Sequence, residues 1–226
     1  MKKIISIFVL LHLAFFCTAQ NSKHSEIRDL GYIGKIHSVT TKIFQDSLNN
    51  KKSDSLISTK TRYYNKEGNA TKELFQSGNY SQIVNYEYKN GIRRGYSVIN
   101  KDGETKMRAE IIYQKEGYIT NIYILYDKLI AKNVYKYDEH LKIKTVTYTT
   151  YNIENGKVKD SLVSTYYHDK EGFISGYDSK DLFTSKTDTY RFQILRKDAH
   201  KNPDKLILLK NNLPFQIHLV NIEYRQ

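Results

Sequence analysis

The chain has 226 residues, with 36 Lys and Arg against 24 Asp and Glu, 20 Tyr, 11 Gly, 2 Pro, one Cys and no Trp. Its hydrophobic share of 39% is modest, but an aromatic share of 13% excludes a disordered polyelectrolyte, and the length suits one extended β domain or at most two small ones. The net charge of +12 and the single Cys exclude a disulfide scaffold, so stability must come from packing and hydrogen bonds.

In chain order, Met1-Lys2-Lys3 followed by the apolar run Ile4 to Phe16 reads as a secretory signal ending at small residues, with cleavage before Gln20. The run is interrupted by His12 and is short for a membrane-spanning helix. Ala14-Phe15-Phe16 lacks the small residues expected before a lipidated Cys17. Removing residues 1–19 takes away Lys2, Lys3, the only Cys and no acid, leaving +10. Residues 20–32 read as a lead-in, and residues 33–226 as a single β-repeat domain.

The aromatic residues that precede turns recur with a period: Tyr64, Tyr88, Tyr113, Tyr137, Tyr167 and Phe192 are separated by 24, 25, 24, 30 and 25 residues. After several of them the chain closes on a glycine, and Gly68, Gly91, Gly103, Gly117 and Gly172 are expected at reversals that need φ > 0. A second turn lies midway through most units, as at Ser77-Gly78-Asn79 and Asn211-Asn212, so each unit is two strands. Between turns, β-branched and aromatic residues alternate with polar ones, as in Val134-Tyr135-Lys136-Tyr137. Both prolines, Pro203 and Pro214, stand beside turns, which leaves the strand interiors able to pair. Asp46–Asp54 and Tyr151–Asp160 are extra residues, expected as long hairpins standing out from the sheet. The predicted fold is all-β: tandem antiparallel hairpins in one extended, twisted or curved meander sheet after the N-terminal signal helix.

Tyrosine before an acidic or amide turn that closes on glycine resembles the YD-repeat, or RHS-like, class of exported bacterial proteins, over roughly residues 60–224. Tyr126-Asp127 and Tyr137-Asp138 carry the literal pair, the Tyr64, Tyr88 and Tyr113 units replace Asp by Asn, Lys or Gln, and the run from Asp198 to Pro203 is similar to an Asp-x-x-Gly-Asn turn. The resemblance implies an exported hairpin-repeat protein, although a chain of this length is too short for the closed shell of the large members. A weaker resemblance is to MORN-type repeats.

No constellation of reactive residues emerges. The histidines outside the leader are scattered without metal-ligand spacing, and Asp169-Lys170-Glu171-Gly172 lacks the alternating oxygen ligands of a calcium loop, so no metal, cofactor or catalytic residue is assigned. Glu110, Glu116, Asp127, Asp138 and Asp169 are the acids from which a glycosidase pair would be drawn, but they sit at or near turns. The tyrosines read first as cross-strand ladders covering a thin sheet and second as a ligand face. Tyr88, Arg93, Arg94 and Tyr96 form the candidate ligand-binding surface, where rings stack on sugars and guanidinium groups pair with acids. The expected partners are an anionic envelope glycan, a lipid or another envelope protein. No nucleic-acid module is recognisable.

The leading expectation is therefore a non-catalytic exported scaffold located in the periplasm, at the cell surface or outside the cell. A periplasmic lipid or lipoprotein carrier with a curved half-barrel is the alternative, and a glycan-active enzyme the third.

Overall fold

The computed structural model describes residues 30–45, 55–124, 127–140 and 142–226. The signal segment, the first part of the lead-in and Asp46–Asp54 lie outside the described residues. Fourteen strands follow one another: β1 (Ile36–Gln45), β2 (Leu56–Tyr64), β3 (Ala70–Ser77), β4 (Tyr80–Lys89), β5 (Ile92–Asn100), β6 (Thr105–Gln114), β7 (Gly117–Ile124), β8 (Lys128–Tyr137), β9 (Ile143–Tyr151), β10 (Val158–His168), β11 (Ile174–Asp181), β12 (Thr187–Lys197), β13 (Pro203–Lys210) and β14 (Leu213–Tyr224). Each pairs antiparallel with its sequence neighbours, as the hairpin repeat predicts.

The sheet is not the open meander expected from the sequence. β14 returns to β1, pairing Ile36 with Tyr224 and continuing to Gln45 opposite Gln216, so the fourteen strands close into a barrel. Closure has a physical reason. Period-two alternation gives the sheet one apolar face, and no helix or second sheet is present among the described residues to cover it, so the sheet covers itself and leaves no unpaired edge. On β6, for example, Ala109 and Ile111 are buried inside while Lys106, Arg108 and Glu110 face out.

An eight-stranded barrel is filled by ordinary side chains, but a fourteen-stranded one encloses more room. Tyrosine fills much of it. Tyr118 stacks on Tyr135 with ring centroids 4.2 Å apart, Tyr177 on Tyr190 at 4.5 Å, and the Tyr148 and Tyr166 hydroxyls lie 3.2 Å from each other. Burial pushes the phenol pKa values of Tyr148, Tyr166 and Tyr177 well above the ordinary range. The abundance of tyrosine is thus largely a property of the lumen.

The barrel has two rims. The terminal rim carries the start of β1, the end of β14 and the turns that follow the even-numbered strands. Four of these turns share one device: Asn65, Asp138, Asp169 and Asp198 each accept, through Oδ1, the amide of the residue four positions on, at 2.8–2.9 Å. This Asx cap is the mechanism behind the acidic or amide residue that directly follows Tyr64 and Tyr137 and stands two residues after Tyr167. Just beyond the rim, one extra residue bulges out of the ladder at His37, Thr71, Arg94, Lys144, Ser175 and Asp204. Bulges at a barrel rim bend and twist the strand there.

Gly68, Gly91, Gly103 and Gly172 have the expected positive φ. Gly117 does not: it opens β7 opposite Lys136, and a Cβ there would stand 1.8 Å from the Tyr135 carbonyl oxygen. Its requirement is close backbone approach rather than a left-handed turn. Tyr151–Asp160 also differs from a hairpin standing clear of the sheet, because β9 runs to Tyr151 and β10 resumes at Val158, leaving a short turn.

Candidate functional site

The segment 30–35 lies across the terminal rim. Ile33 N–H donates to Asn202 Oδ1 at 2.7 Å, and Asn202 Nδ2 donates to the Ile33 carbonyl and to the Tyr224 hydroxyl, each at 2.7 Å. Asn202 is fully buried and so clips the segment to the last turn. From this strap the Tyr32 side chain packs among Ile36, Val39, Tyr64 and Val220, with its ring edge-on to Phe173 at 6.2 Å. Burial raises the Tyr32 phenol pKa to about 12, partly offset by Arg62.

Beneath the strap is a cavity of about 220 Å³. Leu30 and Tyr32 line it from the strap, and its wall is drawn from β1, β2 and β10–β14, including Val39, Leu206, Leu208 and Val220. For scale, a cavity of about 150 Å³ with apolar walls takes up benzene. This one suits an acyl chain of about six to eight carbons, or a single substituted ring.

Polar groups interrupt the apolar wall at a few points. Lys60 and Arg62 occupy successive inward positions of β2, and Thr41, Gln216 and His218 line the same space. Arg62 is held by Glu73 of β3, with Nε 2.7 Å and Nη2 2.5 Å from Oε2, and both side chains are nearly fully buried. Arg62 and Arg93 both approach the Tyr86 ring, their guanidinium carbons 5.8 Å and 4.8 Å from its centroid. Lys60 is half-buried and lines the cavity. Its burial lowers the ammonium pKa to about 8, with Glu73 opposing the shift and Arg62 adding to it.

The four residues of the expected binding surface do not share a face. Arg93 is 1% exposed and Tyr96 8% exposed, both inside, whereas Arg94 is the exposed bulge residue. Tyr88 donates its hydroxyl to the Ala70 carbonyl at 2.6 Å, and Tyr113 does the same to the Arg93 carbonyl at 2.8 Å. These two repeating tyrosines therefore tie neighbouring hairpins together at the rim. Four of the five acids considered for catalysis are engaged in local contacts: Arg108 bridges Glu110 and Asp127 on the outer wall at 3.0 and 2.9 Å, while Asp138 and Asp169 cap turns. Among the described residues no group of three or more His, Cys, Asp or Glu is arranged to hold a metal ion.

Sequence reasoning missed Lys60, Arg62 and Glu73. The available signal was a pair of charges two residues apart in an otherwise Thr- and Tyr-rich strand, Lys60 and Arg62, which period two places on one face.

Together these features define a closed antiparallel barrel with an aromatic and apolar lumen, a charged exterior and a strapped terminal rim. Two solved structures that resemble this chain are porin-like proteins. One, from Bacteroides vulgatus ATCC 8482, has a TM-score of 0.52 at 11% identity, over 85% of this chain and 99% of that one. The other, from Bacteroides uniformis ATCC 8492, has a TM-score of 0.46 at 11% identity, over 83% and 96%. At this identity the first likeness establishes fold alone, and the second adds no argument. No family model and no curated protein matches the chain.

Proposed function

We propose that this chain is a non-catalytic binding protein of the cell envelope that carries a small apolar molecule, or the apolar end of one, inside its barrel. The observation that carries the reading is the polarity of the wall: an apolar cavity lies inside while Lys106, Arg108 and Glu110 stand outside, each with about half its side chain exposed. A barrel that spans a bilayer has the reverse arrangement, an apolar outer band around a polar lumen. Here even exposed Leu219 of β14 is flanked across the ladders by Lys42 and Lys205. Among the described residues no helix is long and apolar enough to cross a membrane.

Export is supported by the charged start and apolar run of residues 1–19. The scaffold reading has less support, because Arg93 and Tyr96 of its candidate surface face inward. The carrier reading keeps the apolar lining expected of a half-barrel and sets it inside a closed one.

Calorimetric titration of the full chain with 1-octanol tests the proposal. Saturable binding of one molecule per barrel is expected, weakened at least about tenfold by Leu208→Phe or Ile43→Phe, either of which fills the cavity. No saturable binding to the native chain overturns the reading, as does undiminished binding by both filled variants.

A further inference from the structure

We infer that cargo enters and leaves the barrel through a groove on the outer side of the strap, with the Tyr32 side chain as the door between groove and cavity. The inference rests on the carrier reading and adds the route its ligand takes.

Three observations converge on it. First, the groove is a second space, of about 670 Å³, lined by strap residues 33–35, turn residues 65–68 and Arg225. It is about three times the size of the cavity and meets solvent along exposed Ile33, Lys35 and Lys66, so a molecule that fits the cavity fits here first. Second, among the described residues Tyr32 is the one that lines both spaces, so a single ring stands between them. Third, the two rims contribute unequally to the cavity. The terminal rim supplies Leu30, Tyr32, Phe173 and Pro203 to its lining, whereas no described residue from a turn of the opposite rim takes part.

The strap is built to move as a short flap. Gly31 and Gly34, with φ of +81° and +105°, bracket Tyr32 and Ile33, and glycine has the widest choice of backbone conformation, which suits a hinge at each end. Beyond the second hinge the chain is anchored: the Lys35 carbonyl accepts Arg225 N–H at 2.7 Å, and Ile36 opens β1. Between the hinges Ile33 is fastened by its two hydrogen bonds to Asn202, and Tyr32 by the packing of its ring. Exchanging two hydrogen bonds for bonds to water is a small cost beside global unfolding. The latch itself stays formed on the barrel when the flap lifts, because Asn202 N–H donates to Asp198 Oδ1 at 2.9 Å and its Nδ2 also donates to the Tyr224 hydroxyl. Rotation at the two glycines withdraws the ring and joins groove to cavity.

The test follows exchange of 1-octanol carrying one terminal fluorine on the full chain by fluorine NMR. Association and release rates are both expected to rise at least about tenfold in Tyr32→Ala, which removes the door, and in Asn202→Ala, which unfastens it. Leu213→Ala, at an exposed tip of the opposite rim, should leave both rates at their native values. A residue that is only part of the wall would change release alone, so the association rate is the deciding measurement. An unchanged association rate in either variant that folds, or equal acceleration by Leu213→Ala, overturns the doorway and leaves the carrier reading standing. A native chain that does not bind the probe overturns both.

Discussion

Tyr118 of β7 and Tyr135 of β8 stand directly opposite each other in the ladder, and their rings stack at 4.2 Å with only 11° between planes. Both are essentially inaccessible to solvent, so the pair anchors the filled half of the lumen opposite the cavity. Removing one ring leaves a void that the closed wall cannot collapse into. Tyr135→Ala is expected to cost about 3–5 kcal/mol, and Tyr135→Phe distinctly less because the ring remains. Urea denaturation of the three proteins checks the ranking, and a Phe variant as unstable as the Ala variant would contradict it.

Two glycines predict opposite sensitivities. At Gly91 nothing lies within 4 Å of an added Cβ, but φ is +74°, so Gly91→Ala should cost about 1 kcal/mol through backbone conformation alone. At Gly117 the added atom meets the Tyr135 carbonyl, and Gly117→Ala should cost about 3 kcal/mol or more, since both backbones must shift within a paired ladder. Melting temperatures falling in the reverse order would refute this distinction.

The Arg62–Glu73 pair is almost wholly buried, so breaking it strands a charge. Arg62→Met is expected to destabilise by about 3–5 kcal/mol, while the double variant Arg62→Met with Glu73→Leu should recover much of the loss. A double-mutant cycle by equilibrium unfolding measures this. Additive losses would show that the pair does not act as a unit.

The dependence of stability on pH follows from Lys60 and the lumen tyrosines. With its folded pKa at about 8, below the ordinary 10.5, the Lys60 ammonium binds fewer protons folded than unfolded between those values. Stability should therefore rise from about pH 8 toward pH 10. The raised phenols act oppositely: their contribution is complete below pH 10 and is lost as pH climbs through their folded pKa values. Denaturation across pH 7 to 11 should show a rise followed by a fall, with Lys60→Met keeping only the fall. A rise that persists in that variant would remove Lys60 as its source.

Much of the local architecture was legible because its causes are local. Asn65 and Asp138, each directly after a repeating aromatic, cap their own turns, and alternation fixes which residues share a face. Closure was not legible, because it rests on Ile36 meeting Tyr224 across nearly the whole chain, a pairing that no short-range pattern announces. The candidate surface failed to assemble for a subtler reason. Arg93 and Tyr96 are three residues apart, and strict alternation would separate them, but the bulge at Arg94 resets the register and turns both inward. Lys60 and Arg62 obeyed alternation, yet nothing in sequence told which side of the ladder was the inside.

Because a unit of the repeat can bring its own cap, bulge and two staves of wall, the bore of such a protein is quantised. Gaining or losing one unit of roughly two dozen residues would widen or narrow the calibre by a fixed increment while leaving the remaining joints as they are. As long as the first and last staves meet antiparallel, as they do here, the tally stays even. Kindred chains built this way would differ in cargo size by steps rather than by degrees.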